Sequence, residues 1–341
     1  MPRSAVCILT ILVTALATGN CANANRTQVV TLITHSSPGG GSDVYLREMI
    51  KFLAPVMGTE FAVENVRGGS GAKAIAKVAT SPADGSIFYA ATPTYINMSL
   101  LSKPEFGHDS VEPVVGFFLD PQVIYVRKDS PLTSLAQVIA EAKANPGKQK
   151  WGTGTPAALE RQALEEFKTR AGVDVTIVTH DGGGDMMINV LNGSLDLGIG
   201  EIQEFRGQLD AGEIRVIGVF TEQRLAEFPD AKTAKEEGID MVVNKFRGIV
   251  GPKGLPPEVI KAWEAAVPKV MADPEFQKWY QNANLIPAFL PHDKFVPFVA
   301  DFVKQQELLY TSRRLWPFVN KQVRFKKRQW ISSEIPRSSW S

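Results

Sequence analysis

Cysteine is almost absent from this 341-residue chain: Cys7 and Cys21 are the only two, and both fall within the first 24 residues. The body of the protein is therefore held by neither disulfides nor a cysteine-ligated metal. Histidine is scarce as well. His35, His108, His180 and His292 form no i, i+4 pair, so no metal site is expected. Net charge is only +1, but the balance conceals a division, because residues 312–341 hold eight basic side chains and one acidic, leaving 29 basic and 35 acidic elsewhere. The body is thus mildly acidic and lacks the basic footprint of a nucleic-acid binder. Two catalytic signatures are also missing. There is no Gly-x-x-x-x-Gly-Lys-Ser/Thr phosphate loop, and Gly69-Ser70-Gly71 lacks the spacing of a Gly-x-Ser-x-Gly nucleophile elbow.

The one long apolar run, residues 5–17, is too short to span a membrane. With Arg3 before it and Ala22-Asn23-Ala24 after it, residues 1–24 read as a cleavable secretory signal, which implies a periplasmic mature protein. Cys21 as a lipoprotein anchor is the weaker alternative, since Asn20 stands where a small residue belongs. At 44% hydrophobic and 21% charged, the remainder has material for one large domain or two lobes with real cores. The basic tail, with Trp316, Trp330 and Trp340, is read as a poorly ordered terminus.

What is present in quantity is glycine at strand-to-helix joints. Residues 28–34 (QVVTLIT) read as a buried strand, and Tyr45, Met49, Phe52, Leu53 and Val56 mark a helix. Between them stands Ser36-Ser37-Pro38-Gly39-Gly40-Gly41-Ser42-Asp43. Such a joint turns backbone N–H groups toward an anion without a Cβ in the way. A second strand, 60–66, leads through Gly68-Gly69-Ser70-Gly71 to a helix at 72–80, and a third, 86–91, ends at Thr92-Pro93-Thr94-Tyr95. Strand ends of this kind form the ligand edge of open α/β sheets.

After a strand at 123–126 and a helix at 135–144, the pattern restarts at Lys150. Gly152-x-Gly154-x-x-Ala157 with Asp174 downstream imitates a dinucleotide fingerprint, although Pro156 is unusual there and Asp174 sits at the wrong end of its strand. The next joint, Thr179-His180-Asp181-Gly182-Gly183-Gly184-Asp185, echoes Thr34-His35 and the first triple glycine. Two facing lobes with such joints suit a small ligand carrying anionic groups. Glu201 ends a strand at 195–200 and either reads a ligand amine or hydroxyl or caps the following helix. His35 and His180 at strand ends take a ligand or a structural hydrogen bond, and Arg247 meets a carboxylate or locks the lobes by an ion pair. Residues 246–252 read as a return crossing, and helices begin near Pro256, Asp273 and His292.

In order and spacing these motifs resemble the periplasmic solute-binding receptors of the tripartite tricarboxylate transporter family, the Bug receptors. The features that carry the resemblance are Pro38-Gly39-Gly40-Gly41-Ser42-Asp43, Val63-Glu64-Asn65 before Gly68-Gly69-Ser70-Gly71, and Ala83-Asp84-Gly85. Gly152-Thr153-Gly154, Gly182-Gly183-Gly184 and Gly251-Pro252-Lys253-Gly254-Leu255-Pro256 complete it over roughly residues 28–315. The resemblance implies a two-lobed Venus-flytrap periplasmic-binding-protein fold, each lobe a doubly wound, mainly parallel α/β sheet flanked by helices. Residues 25–122 with 249–315 make the first lobe, 123–248 the second, and 316–341 the tail. The implied protein is no enzyme and uses no cofactor. It is a monomer that captures a small carboxylate (a di- or tricarboxylate, aromatic acid or related organic acid) and delivers it to membrane permease subunits. Motif by motif, the implied ligand contacts are Ser37, Gly39, Gly40, Gly41, Ser42, Asp43, Thr92, Tyr95, Thr153, Gly154, Thr155, Ala157, Asp181, Gly182 and Gly183, to which Ser36 and Glu201 are added. This chain departs from the family pattern at Ser36-Ser37 and His180-Asp181. A carboxylate at Asp181 beside an anion site repels an anionic ligand unless it turns away, so the departure admits a ligand that is less anionic or contains an amine. A nucleotide-dependent enzyme using residues 152–157 is the alternative from another class.

Overall fold

The computed structural model describes residues 29–311; the segment 1–24 expected to be a secretory signal and the expected tail 316–341 lie outside it. In chain order the elements are β1 (Val29–Thr34), α1 (Gly41–Met57), β2 (Glu60–Asn65), α2 (Ala72–Ala79), β3 (Ile87–Ala91), α3 (Pro93–Ser102) and β4 (Val111–Pro121). There follow β5 (Val123–Arg127), α4 (Leu135–Ala144), β6 (Lys150–Thr153), α5 (Leu159–Ala171), β7 (Thr176–Thr179), α6 (Gly183–Leu191), β8 (Leu197–Gly200), α7 (Ile202–Asp210) and β9 (Ile214–Val219). The chain ends with β10 (Asn244–Pro252), α8 (Pro257–Ala272), α9 (Pro274–Asn282), β11 (Ile286–Leu290) and α10 (His292–Thr311).

The strands form two sheets, ordered β11-β4-β10-β3-β1-β2 and β7-β6-β8-β5-β9. Both are mixed, which corrects the expectation of mainly parallel sheets. The parallel pairs, β1 with β2 and β3, and β6 with β7 and β8, are joined by helical crossovers. The antiparallel pairs come from the strands at which the chain changes sheet: β4 leaves the first, β10 returns to it, and β5 runs against both β8 and β9. Gln122 alone separates β4 from β5. The strand that returns to the first sheet, β10, begins at Asn244 and contains the segment 246–252 read from the sequence as the return crossing.

Each sheet is buried on both sides. Leu32 and Phe88 join Trp263, Val267 and Phe276 of α8 and α9 on one face of the first sheet. Their chain neighbours Ile33 and Tyr89 pack with Phe295 and Val299 of α10 on the other, as the period of two in a strand requires. The approach of α10 depends on glycine. A Cβ at Gly248 of β10 would stand 2.5 Å from the Phe295 ring, and one at Gly116 of β4 3.0 Å from it. In the second sheet Ile124 and Val126 face Trp151, Phe167 and Ile217, while Val123 and Tyr125 face Met186, Val190 and Phe205. Met186 and Met187 thus serve as the buried side of α6.

Candidate functional site

Five helices aim their N-terminal ends at one small cavity between the sheets. Gly41 and Ser42 come from α1, Thr94 from α3, Ala158 and Glu160 from the start of α5, Gly182 and Gly183 from that of α6, and Glu201 and Glu204 from that of α7. His35, Ser36, Gly154, Thr155 and Lys245 fill the gaps. Each helix start carries roughly half a positive charge and unpaired amides, so their convergence favours negative charge. The cavity measures about 30 Å³, room for about one or two waters, so the facing loops are closed on each other. A larger hollow of about 520 Å³, lined by Ser130, Gln137, Lys148 and Asp196 among others, includes none of these loops.

The residue-level reading meets the cavity in part. Ser36, Gly41, Ser42, Gly154, Thr155, Gly182, Gly183 and Glu201 line it. Ser37 instead packs against Gly182 across the cleft. Asp43 turns back into its own loop, accepting from the Gly39 amide, Arg47 and Asn65, each at 2.9 Å. Gly39 holds a positive φ of 78° there, and Gly40 lies against Ser36. Thr92 precedes α3 as its N-cap, and Tyr95 is fully buried against Tyr89 at 6.0 Å between rings. Thr153 ends β6 in the interior, and the Ala157 amide donates to Ser70 Oγ of the first-sheet loop at 3.4 Å. Asp181 is 78% exposed and points outward to Arg67 at 3.0 Å, with Asp185 at 2.6 Å on the same guanidinium. It does not face the cavity, so its predicted repulsion of a ligand falls away. As an exposed pair this link between the lobes contributes little to stability.

Asp174 also departs from its suggested role. It lies before β7, 70% exposed beside Lys168, at the strand end opposite the cleft. Gly152 is a packing glycine, because a Cβ there would run into Leu195. Although Gly154 and Thr155 line the cavity, Asp174 and Gly152 are thus not placed as a dinucleotide fingerprint requires.

Sequence reading missed most of the charged floor. Lys245 bonds Glu160 and Glu201 at 2.6 and 2.7 Å, and Arg247 bonds Asp120 and Ser42 at 2.7 and 3.0 Å, facing Glu201 at 3.4 Å. Gln122 and Gln203 complete the shell, donating to Glu201 and Asp120. Arg247 thus bonds within the first-sheet side and approaches Glu201 of the other side as an ion pair, and it also lies 5.5 Å over the Tyr45 ring. Glu201 is the N-cap residue of α7, but its side chain makes no capping bond and serves the ion cluster instead. Glu204 reaches across to the first loop, where its Oε1 accepts from the Gly41 amide at 2.8 Å. The residue as a whole is half-buried, yet its carboxyl end lies deep in the closed cleft. His35 lines the cavity and bonds Tyr89 through Nδ1 at 2.5 Å, whereas His180 is structural, its Nδ1 3.1 Å from the Thr153 carbonyl.

Burial and the neighbouring Glu201 push the Glu204 carboxyl up to about 8, against Lys245 and the Gly41 amide, which favour its charge. Burial lifts Glu160 to about 7 and Asp120 to about 6 despite Lys245 and Arg247 respectively. Burial also opposes ionisation of Glu201, but Lys245 and Arg247 outweigh it and hold that group below the usual range. Burial, Lys245 and Arg247 lower His35 to about 3, so its imidazole is neutral. The three raised carboxyls bind protons more tightly folded than unfolded, so their stabilisation is lost as pH rises through about 5 to 8. His35 acts oppositely, its contribution being lost as pH falls from about 6.5 toward 3. From about pH 5 upward the three carboxyls outweigh His35, so the melting temperature of the protein without ligand is expected to fall as pH rises from there toward about pH 9. Glu204→Gln should flatten the alkaline limb in scanning calorimetry; an unchanged limb would mean that Glu204 does not titrate in the closed cleft.

Residues 46–315 match the model of the tripartite tricarboxylate transporter family receptor, TctC. The chain belongs to this family. Among the relatives it matches, protein BugT of Bordetella pertussis is 23% identical over 281 residues, covering 81% of this chain and 86% of BugT. Of solved structures, periplasmic binding protein BugD superposes with TM-score 0.78 at 22% identity, covering 83% of this chain and 96% of that one. An R. palustris protein solved with adipate gives TM-score 0.77 at 25% identity, over 84% and 97%. The TctC fold is therefore that of periplasmic binding proteins, and the cavity lies between its two sheets.

Proposed function

We propose that this chain is a periplasmic receptor that closes two lobes on a small carboxylate and hands it to the membrane permease of a tripartite tricarboxylate-type transporter. The observation that carries the reading is the convergence of five helix N-termini, with glycines from both facing loops, on one closed cleft. Relatives of the same fold have been solved with adipate and with malate, both dicarboxylates, which supports an organic acid as ligand. The lobes move about the two crossings, at Gln122 and before Asn244, so the second lobe comprises residues 123–243 and the first, among the described residues, 29–121 with 244–311. The ligand-binding set retained from the sequence is Ser36, Gly41, Ser42, Gly154, Thr155, Gly182, Gly183 and Glu201. The protein acts by capture and release, without chemistry on the ligand, as an exported monomer.

Titration with di- and tricarboxylates, aromatic acids and amino acids, followed by melting temperature, tests this. A ligand that binds only the folded form at 100 times its Kd adds about 2.7 kcal/mol of stability. At least one organic acid is expected to raise the melting point. A rise with NAD or ATP and with no organic acid would sink the receptor reading.

A further inference from the structure

The charges of the closed cleft bear on what the ligand must carry. Four carboxyl groups, Asp120, Glu160, Glu201 and Glu204, meet two cations, and both cations lie against the first three: Lys245 against Glu160 and Glu201, Arg247 against Asp120 and Glu201, with Arg247 Nη2 lacking a hydrogen-bond partner. Among the described residues none of these ion pairs reaches Glu204, whose hydrogen-bond partner is the Gly41 amide at 2.8 Å. That amide is a donor that a ligand carboxylate at the start of α1 would take. Two further cavity residues, Thr155 and Glu160, are only 8% and 6% exposed and hold a polar atom, Oγ1 and Oε2, without a hydrogen-bond partner. Both atoms can accept, so the cleft offers unmet acceptors as well as amide donors.

Building on the receptor reading, we propose that the ligand is an amino-carboxylate whose ammonium pairs with Glu204 while its carboxylate lies on the amides at the starts of α1 and α6. Once a ligand carboxylate takes the Gly41 N–H, Glu204 loses that bond inside a closed cleft, beside ionised Glu201. An ammonium there takes the place of the proton that burial otherwise keeps on Glu204. A plain dicarboxylate adds two negative charges to a cluster with more carboxyls than cations, and offers Glu204 no partner for its ionised form. The amine first suggested by Asp181, which faces outward, is thus required by a different residue inside the cleft.

The test is calorimetric titration with acids that differ by one amino group: succinate against aspartate, glutarate against glutamate, adipate against 2-aminoadipate. Wild type and Glu204→Gln are measured in two buffers of different ionisation enthalpy, so that protons taken up or released are counted. In at least one pair the amine-bearing acid is expected to bind ~30-fold tighter to wild type, with Glu204→Gln bringing the pair within ~3-fold. An amine-free acid that binds wild type as tightly as its counterpart, whatever the proton count, overturns the inference and leaves the receptor reading standing. Failure of every organic acid to bind overturns both. The wild-type comparison decides the matter even if the variant does not fold.

Discussion

Arg247→Met is expected to lower unfolding stability by about 3–5 kcal/mol, measured as a shift in denaturant midpoint at constant slope. Arg247 is 1% exposed, and its guanidinium is hydrogen-bonded to Asp120, which is itself 0% exposed. Removing the cation leaves Asp120 buried with Gln203 as its remaining side-chain donor, and leaves Glu201 to Lys245 and Gln122. An uncompensated buried charge is costly, whereas the intact pair contributes far less than its loss takes away. Arg247→Met with Asp120→Asn should therefore recover more than about 1 kcal/mol relative to the single variant, a coupling visible in a double-mutant cycle. Arg247→Lys should recover only part, because an ammonium cannot span Asp120, Ser42 and Glu201 as the forked guanidinium does. A loss below about 1 kcal/mol for Arg247→Met would show that the cluster relaxes or admits water.

The difference between what the sequence disclosed and what it hid follows from the range of the interactions. The glycine joints at 39–41 and 182–184 were legible because a strand, a turn without Cβ atoms and a helix start are all local patterns. The ion cluster has no local pattern. Arg247 and Asp120 are 127 positions apart, and Glu204 and Gly41 163, so only the folded chain brings them together. Lys245 and Arg247 reach the cleft from alternate positions of one strand, β10, which the sequence reading took for an extended crossing rather than a sheet member. The same misreading concealed the mixed sheets, since β4 and β10 pair with each other across the length of β10. Strand β11 was lost among helices because Pro287 lies within it, and proline is tolerated there at a sheet edge. Asp181 was assigned to the site by its place beside the triple glycine. Its carboxylate instead follows the nearest exposed cation, Arg67.

Gly182→Val is expected to weaken ligand affinity ~100-fold or more while changing unfolding stability by less than about 1 kcal/mol. Gly182 has φ 169° and ψ 173°, an extended conformation that a β-branched residue adopts without strain. The obstacle is on the other side of the cleft. A Cβ at Gly182 would lie 2.8 Å from the Ser37 amide nitrogen and 3.0 Å from its Cβ, and backbone cannot swing aside as a side-chain tip can. Valine should hold the lobes apart and deny the ligand one set of amides, equivalent to losing two or three hydrogen bonds of about 1 kcal/mol each. Gly40→Val is the less informative change, because its Cβ would meet Ser36 and the Ser37 carbonyl and so distort the loop itself. The matched control is Gly207→Ala within α7, where a Cβ meets nothing within 4 Å and the helix should gain about 0.5–1 kcal/mol with affinity unchanged. Calorimetry gives the affinities, and small-angle scattering should show the Gly182 variant remaining expanded at ligand concentrations that compact the wild type. Wild-type affinity in that variant would mean that the ligand is held without the Ser37 to Gly182 approach, and the closed arrangement of the two loops would then not be the binding state.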